Sequence, residues 1–111
     1  MRVDLPATLA GRFPRPARVV DLSLLGCLVR SDRPLARGAF VDLDLALPDG
    51  SLRVKARVTE ASIDGDTLPD ARQCFLAGLE FLGLAALDGV RVRSFVDGEW
   101  RRRRGAHPAP A

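Results

Sequence analysis

Three residues at fixed spacing in "VVDLSLLGCLVR", Val19 to Arg30, could do chemistry: Asp21, Ser23 and Gly26. At neutral pH Asp21 is an acceptor-only carboxylate, and Ser23 carries a hydroxyl that both donates and accepts. Gly26 has no Cβ, so it can take φ > 0 and let another group approach the backbone closely. The Asp21 carboxylate can accept more than one hydrogen bond, so the turn could be made into a site. The same residues suit a simpler role, in which Asp21 and Ser23 satisfy the backbone of their own turn. The spacing alone leaves both readings open.

Other chemistry has little support in the chain. The single histidine, His107, lies between Ala106 and Pro108 near the end, so a Ser–His–Asp or Cys–His arrangement has no base. Histidine and cysteine are too few for a Cys/His zinc site, and there is no GxGxxG or phosphate-binding loop motif. Asp42 with Asp44, and Asp64 with Asp66, read as solvated carboxylates on a strand face and in a loop. Cys27 and Cys74 sit among apolar neighbours without CxxC spacing, which predicts buried free thiols in a cytoplasmic protein. The expectation is a non-enzymatic protein with no cofactor and no metal.

The elements that must position Asp21, Ser23 and Gly26 are strands. Val3, Leu5, Ala7 and Leu9 alternate with Arg2, Asp4, Pro6 and Thr8, the period of a half-buried strand. "GRFPRP", Gly11 to Pro16, is a loop by its prolines and glycine. Strands over Ala17–Leu22 and Cys27–Ser31 flank the turn, and "RPLARG", Arg33 to Gly38, is a further connection. Val41, Leu43, Leu45 and Leu47 then face inward, "PDGS" turns the chain, and Leu52, Val54, Ala56 and Val58 return. In that hairpin Asp42 and Asp44 face the bases Arg53, Lys55 and Arg57 across the strands.

"SIDGDTLPDA", Ser62 to Ala71, reads as a polar loop, and Phe75, Ala77, Leu79 and Phe81 as a last strand. From about Leu84 the spacing turns helical, with Asp88 as N-cap and Val92, Phe95, Val96 and Trp100 on one side. The end, "RRRRGAHPAPA", is polar and proline-rich and reads as a disordered tail. Six short strands and one helix predict a mainly β fold, a six-stranded antiparallel barrel with a helix packed on it or closing one end.

The 111 residues suit one domain, expected over 1–97, with a basic tail over 98–111. The net charge is +3, but Arg101–Arg104 hold four of the seventeen basic residues, and without them thirteen bases face fourteen acids, a balance of −1. A body so close to neutral argues against a nucleic-acid partner, which needs a basic face. The arginine run itself reads as a solvated terminus. No run of about eighteen apolar residues and no charged-then-apolar leader is present, so neither membrane insertion nor secretion is expected.

The motif D-x-S-x-x-G over Asp21–Gly26, between two strands, resembles the signature of the PilZ family of small bacterial β-barrel domains that bind cyclic di-GMP. "DLPATL", the hairpin around "LPDG", the late "AGLEFLGL" and the terminal helix follow in the order expected of that family, over nearly all of Arg2 to Val96. The resemblance implies a second-messenger signalling module with Asp21, Ser23, Gly26 and Arg2 in its ligand site. Arg2 aligns with the second arginine of the family's R-x-x-x-R element, whose first arginine would lie before Met1. Those guanidiniums engage the O6 and N7 edges of guanine, stack on bases and neutralise phosphates.

Arg33–Arg37 and Arg53–Arg57 have the same spacing, at the frequency chance gives, and Arg12, Arg15 and Arg18 do not have it. Arg101–Arg104 could supply guanidiniums from the tail, but nothing in the sequence places them at the turn. The implied partners are cyclic di-GMP and a protein in motility, pilus or biofilm control. The alternative is an adaptor in pilus or motility regulation that acts through protein contacts without the dinucleotide.

Overall fold

The structure is a computed structural model that describes residues 1–63 and 74–106, with side chains at the helix end as far as Arg103. The chain runs β1 (Arg2–Ala10), β2 (Arg15–Leu22), β3 (Gly26–Ser31), β4 (Phe40–Leu47), β5 (Gly50–Ile63), β6 (Phe75–Phe81) and α1 (Ala86–Ala106). The strands close into a barrel in the order β1-β2-β3-β6-β5-β4, every pairing antiparallel.

The period-2 pattern fills the inside. Leu5, Val19, Val29, Leu43, Leu45, Val54, Ala56, Val58 and Leu79 are among the buried residues of a single core. In the β4–β5 hairpin the odd residues of one strand meet the even residues of the other, Leu43 opposite Val54 and Leu45 opposite Leu52. On its outer face Arg53 makes a two-pronged pair with Asp44, at 2.8 and 3.0 Å. Arg57 pairs instead with Glu80 of β6, and Asp42 lies opposite Lys55 in register.

Several boundaries differ from the sequence expectation. β2 begins at Arg15, so the first loop is shorter, and β5 runs on through Ser62 and Ile63. The rest of the expected polar loop, from residue 64 on and including Asp64 and Asp66, lies outside the described residues, as does His107. Asp88 sits inside the first helical turn rather than capping it; the Gly89 amide donates to the Ala85 carbonyl at 2.9 Å. Cys27 is a buried free thiol as expected, but Cys74 is only half-buried.

The helix is longer than expected and continues through the arginine run to Ala106, so the tail expected from residue 98 is helical over its first part. Polarity misled the reading here. Arginine is a good helix former, and cations suit a helix C-terminus, so the run extends the helix. Val92 is fully buried in the core, and Phe95 and Val96 pack against it. Trp100, expected on that side, is 56% exposed. At the other end of this packed stretch, the Arg91 guanidinium donates to both Asp49 carboxylate oxygens, at 3.1 and 3.0 Å, and to the Gly50 carbonyl at 2.8 Å. That clamp fixes the helix on the β4–β5 turn.

Register places the start of β1, the β2–β3 turn, the β4–β5 turn and the end of β6 at one end of the barrel. Arg2 faces Asp21, Gly26 faces Glu80, and β1 runs antiparallel to β4. α1 therefore follows directly from the barrel end that carries the Asp21 turn.

Candidate functional site

A bulge in β2 creates the outward group at Asp21. Val19 pairs with Val29 and Asp21 with Leu28, so Val20 and Asp21 together oppose a single step of β3. Burial shows the effect: Ala17 and Val19 point inward, and after the bulge Leu22 does, which reverses the alternation. Val20 and Asp21 are thereby both left half-buried on the outer face. With Arg2, Val3, Leu28, Arg30 and Leu76 they line a groove of about 420 Å³.

The groove has a clear division of chemistry. Val20, Leu28 and Leu76 form an apolar floor on which a planar ring can lie. Asp21 supplies a carboxylate whose side chain is 49% exposed, and Arg2 and Arg30 supply guanidiniums. Such a set fits a base with paired N–H donors together with acceptor edges or phosphate oxygens. A wider groove of about 540 Å³ adjoins it through the shared Arg30 and includes Pro6, Thr8, Pro16 and Arg18. On another side of the barrel, a hollow of about 400 Å³ between Ala10, Phe40, Lys55 and Leu82 has no guanidinium in its lining.

Asp21 already has a cation beside it. The Met1 ammonium donates to its Oδ1 at 2.9 Å and to the Leu22 carbonyl at 3.0 Å. The Leu22 amide returns a bond to the Met1 carbonyl at 2.9 Å, which extends the β1–β2 ladder to the first residue. The negative charge of Asp21 is felt below the sheet too. The Cys27 thiol is pushed up to about 12, mainly by burial and further by the Asp21 carboxylate. At neutral pH Cys27 is a protonated, unreactive core residue.

Ser23 and Gly26 occupy different roles from Asp21. The Ser23 Oγ accepts from the amides of Leu25 and Gly26, at 3.1 and 3.3 Å, and donates to the Gly26 carbonyl at 3.3 Å. Its own amide donates to the same carbonyl at 2.9 Å. The hydroxyl thus ties the turn together, the simpler of the two roles open to it from sequence. Gly26 does not use the φ > 0 open to it; Gly38, Gly50 and Gly83 do. It is glycine because a Cβ there would stand 2.0 Å from the Leu79 carbonyl oxygen on β6. Gly26 lets β3 and β6 approach, and so sets where the turn ends.

Of the residues expected in the site, Arg2 and Asp21 come together on the groove, and Ser23 and Gly26 shape the turn that holds Asp21. Sequence reasoning missed Val20, Leu28, Arg30 and Leu76. The sequence held little signal: Leu28 alternates with buried Cys27 and Val29, but a single outward apolar residue is ordinary, and only strand pairing groups it with Val20 and Leu76. Among the described residues no group of three or more His, Cys, Asp or Glu side chains could hold a metal ion. No helix among them is long and apolar enough to cross a membrane.

Comparison with known proteins bears on the fold and the family. No curated protein matches the sequence. Among solved structures, K. pneumonia MrkH in its apo state superposes with a TM-score of 0.82 at 15% identity, over 96% of this chain and 52% of that one. The chain thus spans about half the length of MrkH. The PilZ domain of YcgR from Escherichia coli, solved with c-di-GMP, superposes with a TM-score of 0.73 at 15% identity, over 93% of this chain and 87% of that one. At such identities the likeness carries the fold. The family model of the PilZ domain matches residues 1–98, which hold all six strands and more than half of the helix, and the chain belongs to the PilZ domain family.

Proposed function

We propose that this chain is a non-enzymatic module that binds cyclic di-GMP in the groove beside the β2–β3 turn and relays the ligand's presence through protein contacts in the cytoplasm. One observation carries the reading: the β2 bulge sets the Asp21 carboxylate next to Arg2 and Arg30 above an apolar floor of Val20, Leu28 and Leu76. Asp21 accepts the Watson–Crick N–H donors of a guanine, and the floor takes the face of the ring. Arginine's planar fork serves the O6 and N7 edge or a phosphate. Membership of the PilZ family supports this choice of ligand, and so does the YcgR PilZ domain solved with c-di-GMP. Ser23 and Gly26 act by positioning, through the turn and the β3–β6 approach.

Calorimetric titration of cyclic di-GMP into the full chain, with Asp21→Ala alongside, tests the reading. Saturable binding that weakens by roughly ten- to hundredfold in Asp21→Ala is expected, the worth of one charge-assisted contact of about 1.5–3 kcal/mol. Absence of binding, or binding indifferent to Asp21, would overturn it.

The second reading is an adaptor that acts without the dinucleotide. Its support is that the polar groups of the motif have partners within the chain, Met1 for Asp21 and the turn backbone for Ser23. The helix also presents Leu87 and Trp100 to solvent, 79% and 56% exposed. The same titration decides between the two.

A further inference from the structure

The last described side chain of the helix reaches the start of β1, whose Arg2 lines the groove. The Arg103 guanidinium donates through Nη2 to the backbone carbonyl of Arg2, a contact between residues 101 positions apart. Arg2 is itself a wall of the groove that holds Asp21. Helical periodicity explains the approach. Residues 92, 96, 99 and 103 fall on one face, at steps of four, three and four. The stripe that buries Val92 and half-buries Val96 and Glu99 therefore returns Arg103 to the barrel side. With Arg91 clamped on the β4–β5 turn, Arg103 lies about 18 Å further along the helix axis.

Arg103 differs from Arg91 and Arg102 in what it holds. Arg91 is committed to Asp49, and Arg102 pairs with Glu99 one turn back along the helix. Arg103 is exposed, and among the described residues it has no carboxylate partner. A guanidinium has five donors, and one neutral carbonyl leaves most of them to water. A phosphate oxygen is the stronger partner, since charge-assisted bonds are roughly twice as strong as neutral ones.

We propose that Arg103 supplies a guanidinium to the ligand groove from the C-terminal helix, gripping a phosphodiester of the bound dinucleotide beside Arg2. The ligand then exchanges the Arg103–Arg2 carbonyl contact for an Arg103–phosphate contact, and the end of the helix moves with it. Trp100, the only tryptophan, lies one turn before Arg103 and is more than half exposed, so it reports that movement. This inference rests on the cyclic di-GMP reading.

The test is titration of cyclic di-GMP into the wild-type chain and three variants, followed by heat and by Trp100 fluorescence. Arg103→Ala is expected to bind roughly ten- to hundredfold more weakly and to lose the fluorescence change. Arg103→Lys, which keeps the charge but not the planar fork, is expected between the two. Arg101→Ala, about 200° around the helix, is expected within about twofold of wild type, the size of an ordinary surface change. Circular dichroism of each variant confirms the helix. If the wild type binds and Arg103→Ala binds equally well, or if Arg101→Ala loses as much, this inference fails and the groove reading stands. If the wild type does not bind, both fall.

Discussion

The β2–β3 turn and the β4–β5 turn lie at the same end of the barrel, and each combines an aspartate, a serine and a glycine. In the β4–β5 turn all three serve the fold. Gly50 takes φ of 129°, Asp49 receives the Arg91 clamp from the helix, and the Ser51 carbonyl accepts from the same guanidinium. In the β2–β3 turn the labour is divided. Ser23 binds its own turn, Gly26 clears room for the Leu79 carbonyl, and Asp21 is turned outward by the bulge onto a groove with two arginines. Like residue types thus give a structural joint in one place and the wall of an open groove in the other. What separates them is where the neighbouring strands and helix lie.

Substitution of the two glycines tests that contrast most severely. In Gly26→Ala the new methyl meets a backbone carbonyl that cannot rotate away, so a loss of about 3 kcal/mol in chemical denaturation is expected. Gly50→Ala has room, its nearest neighbour being the Arg91 Nη2 at 3.7 Å, and suffers only from its positive φ. About 1–2 kcal/mol is expected there. Equal losses at the two positions would mean that both glycines serve backbone conformation, and the contrast would collapse.

Ser23→Ala sharpens the comparison further. It removes the hydroxyl that joins Leu25 and Gly26, at an expected cost of about 1 kcal/mol. Any change in ligand affinity should scale with loosening of the turn, which hydrogen exchange at the Leu25 and Gly26 amides would detect. Affinity lost with those amides still protected would make Ser23 a ligand contact.

The smallest effect concerns Asp49. Hydrogen bonding from Arg91 lowers its pKa below the ordinary 3.8, with the Arg91 charge acting in the same direction. A depressed carboxylate contributes stability above its unfolded pKa and loses it as pH falls through the folded value. Helix docking should therefore weaken slightly in acid, and Arg91→Ala should flatten the wild-type decline in melting temperature between neutral pH and pH about 3. A profile unchanged in Arg91→Ala would remove the clamp from the account of the β4–β5 turn.

Much of the barrel was legible because alternation along a strand is local. The β4–β5 hairpin, its inward leucines and valines and its Asp44–Arg53 pair follow from two neighbouring segments joined by one short turn. The helix end was misjudged because charge was taken as a sign of disorder, while arginine's helix propensity acts in the other direction. In the candidate site, Asp21 and Arg2 were legible from spacing and resemblance, and both line the groove. The reason for Gly26 was hidden, because its neighbour Leu79 is brought near only by β3–β6 pairing.

The sequence by itself determined the alternation that folds six strands around one core, the turn chemistry at Asp21–Gly26 and at Pro48–Ser51, and the carboxylate available for a ligand. Each depends on residues close together in the chain, where backbone geometry and side-chain period leave few options. Tertiary structure decided which of those groups face a common groove. The bulge that turns Val20 and Asp21 outward, the β6 carbonyl that requires Gly26, and the helix stripe that brings Arg103 to Arg2 all depend on contacts between distant segments. Closing the barrel makes those contacts, and no local pattern encodes where they fall.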